Sequence, residues 1–333
     1  MSALLRHFIR DNSWWLIIAV QLLSLTAHAQ GDPLPSWNSS AVKQSIIRFV
    51  STITNEQSTQ YVPPEDRIAT FDNDGTLWAE KPVIQEQFVV FRIIQLVKQT
   101  PALRNKQPYK AILEKNRAYL KTLGRKGLLD LMDLTHTGMT ETDFHDAVMR
   151  FFAVVKHPVL GVPVAQLVYQ PQLELLNYLR DNQFKIYICS GGTVEFIRAI
   201  SQKYYGIPPE QVIGTTFRYA YVDSAGVNDI MRLKGLNPLN DKREKPVNIQ
   251  YYIGKRPILA CGNIGGGGDI SMLRFCQGNK YPSLQLLVHH DDGEREFEYE
   301  EDDNESLNNA HRYGWGVISM KNDWQHIFVG PTP

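Results

Sequence analysis

Cysteine is scarce. The 333 residues contain three, Cys189, Cys261 and Cys276. None stands in a C-x-x-C pair or at a spacing to histidine that suits structural zinc. A disulfide scaffold is therefore excluded. A surplus of charge is missing as well, since 35 basic residues balance 35 acidic ones. That balance gives no electrostatic case for nucleic acid, whose phosphates call for a basic surface. Beyond the first 25 residues no apolar run reaches the length of a bilayer. No internal repeat and no low-complexity tract breaks the chain.

What is present begins with a leader. Arg6 and Arg10 give a basic start, and Trp14 to Leu25 form an apolar core interrupted by Gln21 and Ser24. Ala27-His28-Ala29 is a small-x-small cleavage site ahead of Gln30. Residues 1–29 are predicted to be a signal peptide, and the apolar run is too short to span a membrane comfortably. The expectation is a soluble protein in the bacterial periplasm or outside the cell, with no membrane attachment after cleavage.

The rest reads as alternating strands and helices. Val42 to Thr52 is an amphipathic helix, and Arg67 to Asp72 is the first core strand. From Val83 to about His157 the pattern is helical: Ile84 to Lys98, Lys110 to Leu120, Lys126 to Leu134, and Phe144 to Val155 after a Thr140-x-x-Asp143 cap. Strands then resume at Phe184 to Cys189, Pro257 to Cys261, Leu284 to His289 and Gly316 to Met320. Helices lie over Pro171 to Arg180, Thr193 to Tyr204, Glu244 to Tyr252 and Ile270 to Phe275. Val212 to Leu233 reads as extended segments around an Asp223-Ser224-Ala225-Gly226 turn. The acidic stretch Asp291 to Glu305 reads as a solvated loop or helix face. Such alternation predicts an α/β fold: a doubly wound, mostly parallel sheet with an inserted α-helical cap. Residues 30–82 and 158–333 would form the core, and 83–157 the cap.

The densest chemistry is Phe71-Asp72-Asn73-Asp74-Gly75-Thr76-Leu77. Two carboxylates two residues apart at a strand end point the same way. They form an anionic pocket that suits a divalent cation, or a split between nucleophile and proton carrier. Three further segments end strands or start helices. Ser190-Gly191-Gly192-Thr193 offers a hydroxyl and backbone N–H groups to an anionic oxygen. Gly262-Asn263-Ile264-Gly265-Gly266-Gly267-Gly268-Asp269 offers Asn263 and Asp269 as ligands beside glycines that allow close approach. Lys245 begins a helix and can neutralise a phosphoryl group, with Lys242 as a neighbouring alternative. Trp78, Glu80 and Lys81 are candidates for substrate contact. His289-His290-Asp291-Asp292 is a candidate pocket rim or second metal site, although an ordinary polar strand exit explains it as well. His145 and Asp146 read as a solvated helix face.

The order acid pair, hydroxyl-glycine, lysine, glycine-aspartate resembles the haloacid dehalogenase superfamily, in particular its phosphoserine-phosphatase-like branch with a helical cap. The resemblance runs from about Arg67 to Phe275. It implies a phosphatase working on a small phosphorylated molecule. Asp72 would attack phosphorus and form an aspartyl-phosphate. Asp74 would move protons, Thr76, Ser190 and Gly191 would hold phosphoryl oxygens, and Lys245 would orient Asp72. Mg²⁺ would be held by Asp72, Asp74 and a residue of the glycine loop. Here the chain departs from the pattern. Asn263 stands where relatives carry aspartate, and the loop is about two glycines longer. Asp269 is the favoured ligand, with Asn263 as the alternative. A non-catalytic phospho-ligand-binding protein and a phosphotransferase remain as alternative readings. The superfamily fold would also set the strands of Cys189 and Cys261 about 9–10 Å apart, beyond the reach of a disulfide, so free buried thiols are expected.

Overall fold

The computed structural model describes residues 31–330 apart from Ala225 and Gly266, and of Arg125 only the backbone. The expected signal peptide, residues 1–29, lies outside the described residues. The compact unit from Leu34 onward carries every element named below.

Its centre is a six-stranded sheet. The strands are β1 (Ile68–Phe71), β2 (Lys185–Thr193), β3 (Val212–Thr215), β6 (Leu259–Asn263), β7 (Leu284–His289) and β8 (Gly316–Ser319). Their order is β3-β2-β1-β6-β7-β8, and every neighbouring pair is parallel. All four residues of β1 are buried. That is the pattern of a strand covered on both faces, which is what a parallel sheet requires. From β1 the chain builds β2 and β3 on one side, then crosses back to build β6, β7 and β8 on the other. β1 and its two neighbours thus flank the switch point, where a crevice opens outside the carboxyl ends of the strands.

Helices cover both faces. On one, α1 (Ala41–Thr54), α7 (Gln170–Asp181) and α8 (Val194–Tyr205) bury Ile46, Leu176 and Ile197 in the larger core. On the other, α9 (Glu244–Ile253), α10 (Ile270–Gln277) and α11 (Glu305–Tyr313) bury Ile249, Leu273 and Ala310. Cys261 belongs to the first core and Cys189 to the second. The sheet separates them, and all three thiols are free and buried. Burial pushes each thiol up to about 12.

Between β1 and α7 lies the helical block: α2 (Ile84–Gln99), α3 (Tyr109–Leu113), α4 (Arg117–Thr122), α5 (Gly124–His136) and α6 (Glu141–Val154). The single helix expected over 110–120 is two. Lys115 takes a positive φ of 52°, and Asn116 restarts the helix by accepting a hydrogen bond from Tyr119 N. Phe88 of α2 ties the block to the core. Its ring lies 5.6 Å from Phe144, 5.4 Å from Phe151 and 5.3 Å from Phe196 of α8.

The extended segment over 212–233 also divides. Only β3 joins the sheet, while β4 (Phe217–Ser224) and β5 (Val227–Leu236) form a separate antiparallel hairpin. Arg232 clamps that hairpin to the helical block. Its guanidinium donates to His136 O and to Glu141 Oε1 at 2.6 Å, and lies 3.8 Å from the Phe144 ring centroid. No helix among the described residues is long and apolar enough to cross a membrane.

Candidate active site

The carboxyl ends of β1, β2 and β6 surround a small cavity of about 160 Å³. One water occupies about 30 Å³ in the liquid, so the space suits a group of several heavy atoms. Asp72, Asp74, Ser190, Gly191, Lys245, Asn263 and Asp269 all line it, as do Glu80 and Asp241. Seven of the eight residues singled out for this site are thereby brought together from 198 residues of chain, between positions 72 and 269.

Thr76 is the exception. It is fully buried and is not among the residues that line the cavity, and its hydroxyl has no hydrogen-bond partner. The structure therefore does not bring Thr76 to the cavity for the expected contact with phosphoryl oxygens. Lys242, the alternative to Lys245, is exposed.

Lys245 organises the cavity. It lies in the first turn of α9, only 3% exposed, and its ammonium donates to Asp72 Oδ1 at 2.7 Å and to Asp269 Oδ1 at 2.5 Å. Burial opposes its charge, yet Asp269 and Asp72 outweigh that and hold the ammonium above its ordinary range. Burial, reinforced by Asp269, raises Asp72 well above the usual carboxylate range, and Lys245 offsets this in part. Asp74 is pushed up to about 6, first by burial and then by Glu80, against the hydrogen bond from Trp78. Five carboxylates line the cavity beside one ammonium: Asp72, Asp74, Glu80, Asp241 and Asp269 around Lys245.

Asp269, the favoured metal ligand, lines the cavity beside Lys245. Both its oxygens are engaged, Oδ1 by Lys245 and Oδ2 by the backbone N–H of Asn263 at 3.0 Å. Asn263 ends β6, and its side chain sits against Gly75: a Cβ there would meet Asn263 Nδ2 at 2.0 Å. Among the described residues, no three His, Cys, Asp or Glu side chains share a metal-binding arrangement.

Ser190-Gly191-Gly192 forms an irregularity at the end of β2, where the register with β3 shifts between Cys189 and Thr193. The helical block reaches this loop through Gln85. Its Oε1 accepts from Thr193 N at 2.9 Å and Thr193 Oγ1 at 3.0 Å, and a Cβ on Gly192 would meet its Nε2.

The acidic stretch after β7 is largely a loop with more than half of its residues exposed, as expected, but Asp292 and Glu296 are buried and the segment also packs against the site. His290, fully buried, bonds Gly75 O through Nε2 at 2.8 Å and Glu296 through Nδ1 at 3.1 Å. A carbonyl can only accept, so Nε2 carries the proton in that bond. Tyr169 completes the chain by donating to Glu296 Oε1 at 2.9 Å. Tyr299 stacks on His290 at 4.3 Å and receives the Asn263 amide at 3.1 Å. Glu301 accepts the N–H groups of Gly265 and Gly267, which secures the long glycine loop. His290 is thus neither pocket rim nor metal ligand but a brace under the Asp72–Thr76 turn. Alternation along a strand end carried no sign of this, because the partners lie 215 residues apart. Trp78 and Lys81 are also placed: Trp78 bonds Asp74, and Lys81 sits 4.6 Å from the Tyr299 ring. His145 and Asp146 are exposed.

Fold and site together define a doubly wound α/β protein with a lysine-bridged carboxylate crevice at its switch point. The model of one family, described as haloacid dehalogenase-like hydrolase, matches residues 69–274, and the chain belongs to that family. No curated protein matches it. Among solved structures, a conserved functionally unknown protein from Anaerococcus prevotii is 14% identical with a TM-score of 0.56, over 87% of this chain and 94% of its own. A phosphoserine phosphohydrolase-like protein from Francisella tularensis is 18% identical with a TM-score of 0.41, over 76% and 94%. At these identities the first similarity is one of fold.

Proposed function

We propose that the protein is a magnesium-dependent phosphomonoesterase acting on a small phosphorylated molecule. One observation carries the reading: Asp72, bonded to a buried lysine, shares a phosphoryl-sized cavity with Asp74 and the Ser190-Gly191 loop. Asp72 attacks phosphorus, and the bond to the leaving oxygen breaks as Asp74 gives that oxygen a proton. Water then attacks the aspartyl-phosphate, Asp74 takes its proton, and inorganic phosphate departs. A carboxyl group that titrates near pH 6 can serve in both directions. Ser190 and Gly191 hold phosphoryl oxygens, and Lys245 keeps Asp72 in line while offsetting charge repulsion.

The residues fit a hard dication. The cavity offers oxygen donors, and its carboxylates outnumber its one ammonium. In this reading the Asp72 carboxylate, the Asp74 backbone carbonyl and the Asn263 amide oxygen would hold magnesium, with Asp269 fixing Lys245. Bound magnesium supplies positive charge to the phosphoryl oxygens. The same proposal assigns residues 83–157 the part of a substrate-selecting cap. It also includes export to the periplasm or beyond, on the strength of the Arg6 to Ala29 pattern.

The test is hydrolysis of p-nitrophenyl phosphate with Mg²⁺ and with EDTA. Turnover that EDTA removes is expected, and Asp72→Asn should lower it by at least about 10³-fold while the protein stays folded. Phosphate-ester binding without turnover, unchanged by Asp72→Asn, would replace this reading with a ligand-binding one.

A further inference from the structure

Trp78 is fully buried four residues after Asp74, and its indole Nε1 donates to Asp74 Oδ1 at 2.9 Å. The ring is fixed from several directions. Its own carbonyl accepts from Gly75 N at 2.9 Å, and its backbone pairs with Val168. Phe152, in the last turn of α6, has its ring centroid 6.1 Å away at a tilt of 42°. The donor therefore reaches Asp74 on a rigid support that touches the helical block as well as the core.

We propose that Trp78 is a positioning residue for proton transfer: it occupies Asp74 Oδ1 and leaves Oδ2 as the oxygen that exchanges a proton with the leaving group and with water. The chemistry is set by the donor. An indole N–H can only donate. The carbonyl oxygen of a protonated acid is its better acceptor, so the indole N–H favours the hydroxyl on the other oxygen. Without the N–H, the carboxyl group of Asp74 is free to turn and to present either oxygen at the wrong angle. General acid catalysis depends on such placement. The inference rests on the phosphomonoesterase reading of the site.

Two measurements test it. The first compares kcat/KM of the wild type and Trp78→Phe on p-nitrophenyl phosphate and on β-glycerophosphate. Nitrophenolate leaves with little help from a proton, whereas an alkoxide needs one. The loss on the alkyl ester should exceed that on the aryl ester by about ten-fold, a fraction of what general acids contribute. Equal losses on both would overturn the proposal, since a packing defect does not depend on the leaving group. The second uses protein labelled with ¹⁵N-tryptophan. The Trp78 indole N–H should exchange slowly with solvent in the wild type and faster, with a shifted resonance, in Asp74→Ala. An unchanged signal would overturn the contact, even if Trp78→Phe failed to fold. Wild type that turns over neither ester would end the phosphatase reading and the role built on it, while the indole signal would still report the contact.

Discussion

In the strand-end crevice, Asp72, Lys245, Asn263 and Asp269 are each no more than 6% exposed, and hydrogen bonds hold the side chains to one another and to the loops. In the helical block above it, Val90, Leu128 and Leu129 are 41%, 49% and 37% exposed. An apolar groove of about 540 Å³ runs there between Val89, Ile112, Leu120 and Leu131. The crevice holds buried charge in a fixed network, where each member depends on the others. The block holds short helices around a few aromatic anchors and leaves apolar surface open. Chemistry needs the first kind of construction, because developing charge is stabilised only by groups already in place. The second kind tolerates change, and under the proposed function it is the surface on which selectivity would vary.

Lys245→Met strikes the crevice hardest. It strands two buried carboxylates, and breaking such a pair costs about 3–5 kcal/mol. Chemical denaturation should show a loss of that order, with catalysis gone. A mild effect would mean that the crevice is as forgiving as the block.

A smaller effect concerns pH. Asp74 rises from 3.8 to about 6 on folding, chiefly through burial. The native state therefore binds more protons than the unfolded chain between those values, so stability falls as pH rises through that window and levels above it. The change is about 3 kcal/mol at most, and solvent screening of this partly exposed group makes it smaller. Asp72, also raised, acts in the same direction. Melting temperatures in EDTA should decline from about pH 4 to about pH 6, and Asp74→Asn should flatten the decline. A rise over that range would show that the crevice is already charge-compensated without metal.

The smallest effect belongs to the block. Leu128→Ser, at a half-exposed position, should change stability by less than about 0.5 kcal/mol and leave p-nitrophenyl phosphate turnover as it was. A large loss of either would show that the groove is tied to the crevice, and the contrast between the regions would fail.

Much of this arrangement was legible along the chain because it is local. A buried apolar strand, two carboxylates at i and i+2, and a glycine turn occupy eight consecutive residues, and parallel alternation places their end at the switch point. The Ser190 and Lys245 segments carry comparable signals, each where a strand ends or a helix starts. Other features were not legible. Polar and acidic composition made 291–305 look solvated. Yet Asp292 and Glu296 are buried, and His290 is held between Glu296 and Gly75. Composition describes what a segment can tolerate, and only its partners decide whether it faces water. The break at Lys115 and the separate hairpin of β4 and β5 escaped for a related reason. Helical and extended periodicity are read over windows longer than a single positive-φ residue, and they do not say which sheet a strand joins.

By itself the sequence determined the parallel α/β core, the helical insertion after β1 and the residue types gathered for the crevice. These rest on periodicity, spacing and side-chain chemistry, all of which act over short stretches. Tertiary structure alone decided which partner each of those residues meets. It gave Asp269 to Lys245 and the Asn263 backbone, left Thr76 out of the cavity lining, and set Trp78 on Asp74 and His290 under Gly75. The physical reason is that a buried polar group must be satisfied by whatever donor or acceptor the packing brings within about 3 Å, and packing joins residues whose separation in the chain carries no information.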